Sequence, residues 1–61
     1  MSEIGWEDGV LRVRFHNGGI YEYANVDEDL YNKLVTAASV GKAFAEHIKA
    51  NKDKYPFTKI A

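Results

Sequence analysis

The sequence contains no cysteine. Disulfides, thiolate metal sites and cysteine nucleophiles are therefore excluded, and the chain suits a reducing compartment. Other active-site material is also sparse: two histidines, His16 and His47, and two serines, Ser2 and Ser39. A nucleophilic triad needs nucleophile, base and orienting group within hydrogen-bond reach. Nothing in the order of these residues brings such groups together, so no catalytic residues and no enzymatic activity are expected. The histidines fall in distant elements without a ligand-spaced motif, so neither a metal nor a cofactor is expected. No stretch approaches the roughly 20 apolar residues that a membrane span requires. The opening MSEIGWED is acidic and lacks the apolar core of a signal peptide, which points to a soluble, cytoplasmic protein.

A surplus of positive charge is missing too. The net charge is −1, a poor match for general nucleic-acid binding, because phosphate contacts need lysine and arginine. The distribution is uneven, however. Residues 1–39 set three basic side chains against seven acidic ones, and residues 40–61 set five against two, giving −4 and +3. Such asymmetry orients a polyanionic partner; it also arises from a solvated helix face and tail. With 61 residues the chain is one domain, 1–61, and its core is small, because a domain of this size buries only about 60% of its unfolded surface.

What is present reads first as strands. Glu3 to Glu7 alternate apolar and polar, and so do Val10 to His16. Asp8-Gly9 between them is a two-residue hairpin signal, since both central positions of a type I′ turn need positive φ. That loop pairs Ile4 with Val13 and Trp6 with Leu11, and puts Ile4, Trp6, Leu11, Val13 and Phe15 on one face. The next turn, HNGGIYEY, admits two readings. A loop of Asn17-Gly18 alone turns Tyr21 and Tyr23 outward beside Arg12 and Arg14, as a stacking platform, and sends Glu22 into the core. A loop of Asn17-Gly18-Gly19, with Gly19 left-handed in a G1 bulge, pairs Phe15 with Tyr21, Val13 with Tyr23 and Arg14 with Glu22. The second keeps the tyrosines inside and the charges outside, and is the expected register.

Two helices follow. Asp27 is the N-cap of the first, with Glu28 and Asp29 suited to its positive end. Val26 staples onto Tyr31, and Leu30 and Leu34 form its buried stripe. Ser39 caps the second, which turns Val40, Phe44, His47 and Ile48 to one side, with Ala43 at the border. Pro56 ends any helix, and FTKI reads as a short edge strand. The expected architecture is α+β: a three-stranded antiparallel meander, two helices packed on one face, and a short C-terminal extended segment or fourth strand. The expected core is Ile4, Trp6, Leu11, Val13, Phe15, Tyr21, Tyr23, Leu30, Leu34, Phe44 and Ile48.

Taken in order, IGW, LRVRF with NGG, YEY, SVGKAF, HI and YPF resemble the KTSC domain. That family takes its name from the C-terminus of some lysyl-tRNA synthetases and also occurs as stand-alone small bacterial and phage-type proteins. Its tyrosine–any–tyrosine signature corresponds to Tyr21-Glu22-Tyr23, and the resemblance covers nearly the whole chain. It implies a non-enzymatic binding module, with RNA or tRNA as the implied partner because of the attachment to a synthetase.

Three readings of function follow from residues and resemblance together. The first is RNA or tRNA contact through Arg12, Arg14 and His16 on the outer face of the middle strand, with Lys42, Lys49 and Lys52. The second is a protein-interaction or self-associating module, such as a homodimer, using an exposed sheet edge or Trp6. The third is capture of phosphate or a nucleotide at Gly41-Lys42, where a helix N-terminus presents free N–H groups and Lys42 adds a full charge.

Overall fold

The computed structural model describes residues 1–61. It has four strands, β1 (Glu3–Glu7), β2 (Val10–Arg14), β3 (Ile20–Tyr23) and β4 (Phe57–Lys59), and two helices, α1 (Glu28–Val35) and α2 (Val40–His47). A 3-10 turn at Lys49–Asn51 follows α2. The strands form one antiparallel sheet in the order β1-β2-β3-β4. The α+β meander is as expected, and the closing segment is a true fourth strand.

The first hairpin follows its turn chemistry. Asp8 and Gly9 have φ of 49° and 84°, the two positive values that a type I′ turn requires. Ile4 faces Val13 and Trp6 faces Leu11, as the two-residue loop dictates.

The second hairpin corrects the expected register. Its loop is His16-Asn17-Gly18: the Phe15 N–H donates to the Gly19 carbonyl at 2.9 Å, and the Gly18 N–H to the Phe15 carbonyl at 3.0 Å. Gly18, not Gly19, takes the left-handed position, with φ 90°. The pairs become Arg14–Ile20, Val13–Tyr21, Arg12–Glu22 and Leu11–Tyr23. This differs from the expected pairing by two residues, so every side chain keeps its face. The observed register gives both arginines a carboxylate: Arg12 lies 3.9 Å from Glu22, which frees Arg14 to meet Glu3 of β1 at 3.2 Å. His16 moves from the strand face into the exposed turn.

Both helices begin as their caps predict. Asp27 Oδ1 accepts the Leu30 N–H at 2.7 Å, and Ser39 Oγ accepts the Lys42 N–H at 3.3 Å. They pack on the face carrying the apolar side chains of β1 to β3. Tyr31 of α1 stacks on Trp6, and Phe44 of α2 meets Tyr23 and Phe15 edge-on. His47 is half-buried, and its backbone carbonyl rather than its ring is engaged, by Asn51 Nδ2 at 3.1 Å.

The core is smaller than expected and includes residues the periodicity did not single out. Leu11, Val13, Tyr23, Val26, Leu34, Ala43, Phe44, Ile48 and Tyr55 are buried, while Ile4, Trp6, Phe15, Tyr21 and Leu30 are only partly covered. Two eight-residue helices are each about 12 Å long, and they leave the β3–β4 side of the sheet thinly covered. Val26 is pinned from two directions. Its N–H donates to the Gly9 carbonyl at 2.9 Å, and its own carbonyl accepts the Trp6 indole N–H at 2.6 Å. Trp6 is thus an anchor between the first hairpin and the segment leading into α1.

Candidate functional site

The thin cover over β3 and β4 leaves a groove on the helix side of the sheet. Strand alternation places Tyr21 and Tyr23 on that side, and β4 pairs Phe57 with Tyr23 and Lys59 with Tyr21. Phe15 closes one end, and the segment after α2 brings Lys49 and Lys52 to the rim. With Asn17 these residues line a groove of about 380 Å³, within the range of about 300–1,000 Å³ typical of ligand sites. A shallower depression continues past Asn17 and Tyr21 to Lys59, a third lysine along the same edge.

Phe15–Tyr21 and Tyr21–Phe57 pack edge to face, and Tyr23–Phe57 is tilted. Phe15 and Tyr21 centroids are 5.5 Å apart, and Phe57 lies 5.6 Å from both Tyr21 and Tyr23. Such pairs contribute about 0.5–1.5 kcal/mol beyond their buried area, and Phe57 stays 49% exposed. Lys49 Nζ lies 6.0 Å from the Phe15 centroid, at the limit of a cation–π contact. No carboxylate side chain lines the groove.

Two polar groups in the groove have a defined hydrogen-bonding character. Tyr23 is only 6% exposed, but its hydroxyl has no partner within the protein and is not sealed from solvent. Burial, reinforced by neighbouring Tyr21, raises its pKa above the ordinary phenol value, so it remains a protonated donor. Asn17 Oδ1 accepts the Gly19 N–H at 2.9 Å and keeps a second lone pair, beside the two donors of its NH₂.

The candidate residues read from the sequence do not converge. Lys49 and Lys52 border the groove. Arg12 and Arg14 project from the opposite, uncovered face, each beside a glutamate. His16 is exposed in the β2–β3 turn, and Gly41 and Lys42 are exposed in the first turn of α2. There Ser39 already takes the Lys42 N–H, one of the donors an anion would use. Asn17, Phe15 and Phe57 are not among the site residues expected from the sequence, and Tyr21 and Tyr23, weighed there as a stacking platform on the outer face, line the groove from the core face instead. For Phe57 the signal is the interleaving of lysine and aromatic residues in KANKDKYPF. Tyr21 and Tyr23 serve both purposes, packing on Phe15 and Phe44 while walling the groove.

No helix is long and apolar enough to cross a membrane. Compared with models of known protein families, residues 1–55 match the KTSC domain. A search of curated proteins found no match.

Proposed function

The chain therefore belongs to the KTSC domain family, and on that footing we propose that it is a non-enzymatic binding module for single-stranded RNA, held in the aromatic and lysine groove. The observation that carries this reading is the half-exposed Phe57, seated on Tyr21 and Tyr23 with Lys49 and Lys52 at the rim. A base stacked on an exposed ring contributes about 1–3 kcal/mol, whatever its identity. Lysines beside the rings suit the phosphates that run alongside stacked bases. A duplex keeps its bases stacked inside, so the groove favours single strands and unpaired loops, including those of tRNA-like ligands. The reading centres on the groove rather than on Arg12 and Arg14, because both guanidinium groups already have carboxylate partners.

The test is a backbone amide titration with single-stranded oligonucleotides at low and moderate salt. Shifts are expected at Phe15 to Asn17, Tyr21 to Tyr23, Lys49 to Lys52 and Phe57 to Lys59. Two phosphate contacts give a log–log salt slope of about −1.4, and the double substitution Lys49→Ala/Lys52→Ala flattens it. Phe57→Ala weakens binding by roughly 5- to 150-fold, the equivalent of one lost stacking contact. Unchanged spectra, or shifts confined to Arg12 and Arg14, reject the groove as the site.

A second reading, protein contact or self-association, has one observation in its favour. All three residues of β4 are exposed at the sheet edge, and Ile60 beside it is 45% exposed. Such an edge is a template for another strand. It predicts a larger species in sedimentation velocity that persists on adding salt.

A further inference from the structure

Two large apolar side chains are left exposed, Phe57 and Ile60, and both lie in or beside β4, at a free edge of the sheet. The backbone of that edge is open as well. The Ala24 N–H donates to the Pro56 carbonyl at 2.9 Å, and the Ile60 N–H to the Ile20 carbonyl at 2.7 Å. Antiparallel bonding alternates along a strand, so Pro56, Thr58 and Ile60 bond inward to β3. Phe57 and Lys59 therefore turn their N–H and C=O groups outward. Unpaired backbone beside exposed apolar side chains is a template for another strand.

This edge is complementary to itself in one register. Centring two antiparallel copies on Thr58 sets Phe57 opposite Lys59 of the second copy, Thr58 opposite Thr58, and Ile60 opposite Pro56. Each Phe57–Lys59 pair then exchanges two backbone hydrogen bonds through the groups that β3 leaves free. On the groove side a lysine stem and ammonium meet a phenylalanine ring instead of a second lysine. On the outer side Ile60 meets an apolar partner. The neighbouring registers fail. Centring on Lys59 puts two ammonium groups directly opposite each other. Centring on Phe57 puts Lys59 against Tyr55, which is buried and whose N–H already donates to the Asn51 carbonyl at 3.0 Å.

We propose that two copies of the chain pair through β4 about a two-fold axis at Thr58, joining their four-stranded sheets into one continuous sheet. The inference rests on the self-association reading and fixes its partner, edge and register. The axis is perpendicular to the sheet, so both grooves open on the same face. A short edge strand buries far less than the roughly 1,200 Å² of a stable complex, so the pair is weak, with a Kd of about 0.1–1 mM.

The experiment is sedimentation of the unmodified chain from low micromolar concentration to about 2 mM, a few times the highest expected Kd, with Thr58 variants alongside. One reversible monomer–dimer step is expected, insensitive to added salt. Thr58→Lys and Thr58→Glu each place a charge opposite its own copy and should abolish the dimer, whereas an equimolar mixture of the two should restore it. Lys59→Pro removes an outward N–H without touching the bonds to β3, a change an edge strand tolerates, and should also leave a monomer. In a mixed sample of labelled and unlabelled unmodified chains, an intermolecular Hα–Hα contact is expected at Thr58, the non-hydrogen-bonded pair.

A chain that stays monomeric throughout overturns both this inference and the self-association reading. Self-association that survives Thr58→Lys, Thr58→Glu and Lys59→Pro, in variants whose amide spectra show the native fold, overturns the β4 pairing and leaves self-association standing. Two Thr58 variants that stay monomeric when mixed overturn the register, and species larger than a dimer overturn the two-fold closure.

Discussion

Replacing Gly18 by alanine tests the register on which the groove depends. Gly18 has φ 90°, where a Cβ crowds the following carbonyl and costs roughly 1–2 kcal/mol. Gly19 lies outside the left-handed region. A Cβ there would approach the Asn17 Oδ1 and Tyr21 Cε1 atoms at 3.2 Å. Both are side-chain ends near the surface that can yield a few tenths of an ångström, so Gly19→Ala should cost less than about 1 kcal/mol. For a chain of 61 residues the whole stability is about 3–9 kcal/mol, so the loss at Gly18 is a large share of it. Each kcal/mol corresponds to about 4–8 °C in Tm for so small a domain. Gly18→Ala should therefore melt roughly 4–16 °C lower, Gly19→Ala only slightly lower, and Gly18→Asn in between, because asparagine tolerates the left-handed region. Thermal unfolding by circular dichroism gives the order. The same samples report the register directly. The Phe15–Gly19 hydrogen bond makes Arg14–Ile20 and Arg12–Glu22 the non-hydrogen-bonded pairs, with Cα atoms about 4.5 Å apart, so strong Hα–Hα contacts are expected there. A neutral Gly18→Ala with a severe Gly19→Ala, or an Hα contact between Arg14 and Glu22, would refute the register.

Three further outcomes follow from the packing and the charges. Trp6→Phe strips the hydrogen bond from the Val26 carbonyl, which belongs to a fully buried residue, and should cost about 1–2 kcal/mol in urea denaturation; no loss would mean that Trp6 is not the anchor described. Tyr23 has a pKa raised by burial first and Tyr21 second. The unfolded chain therefore sheds that proton first, and stability falls as pH rises. The contribution is complete below the ordinary phenol pKa of about 10 and disappears as pH climbs through the higher folded value. Tyr23→Phe should show a shallower alkaline decline in urea midpoint, and parallel declines would contradict the assignment. Val26→Ala empties a site with no solvent exposure and should cost about 2–3 kcal/mol, two methyl groups at roughly 0.8 kcal/mol each plus a cavity term.

Much of the fold was legible because the deciding interactions are local. Asp8-Gly9, Asp27 and Ser39 act within a few residues of their own positions, so a turn and two helix starts could be read directly. The alternation of Leu11, Val13, Tyr21 and Tyr23 set which face each strand buries, because a slip by one residue would have put Glu22 inside. It could not choose between two registers of the same parity. That choice placed the left-handed residue at Gly18, moved His16 off the strand and set Arg14 beside Glu3 of another strand.

The site was less legible than the fold, for a related reason. Lysines at positions 49 and 52 and a phenylalanine at 57 are visible in the sequence as an aromatic and basic stretch. Only the pairing of β4 with β3 puts Phe57 beside Tyr21 and Tyr23. Only the helix packing, which covers Val13 and leaves Phe57 half exposed, turns a core face into a groove at one side. The separation of Arg12 and Arg14 from Lys49 and Lys52 was likewise hidden in the charge count, which carries no information about faces. The elements, their caps and the inward side of each strand follow from the order of residues, through short-range sterics, hydrogen bonding and period-two burial. The second register, the extent of cover and the gathering of aromatic and basic groups arise only in the folded chain, because they depend on contacts between residues far apart along it.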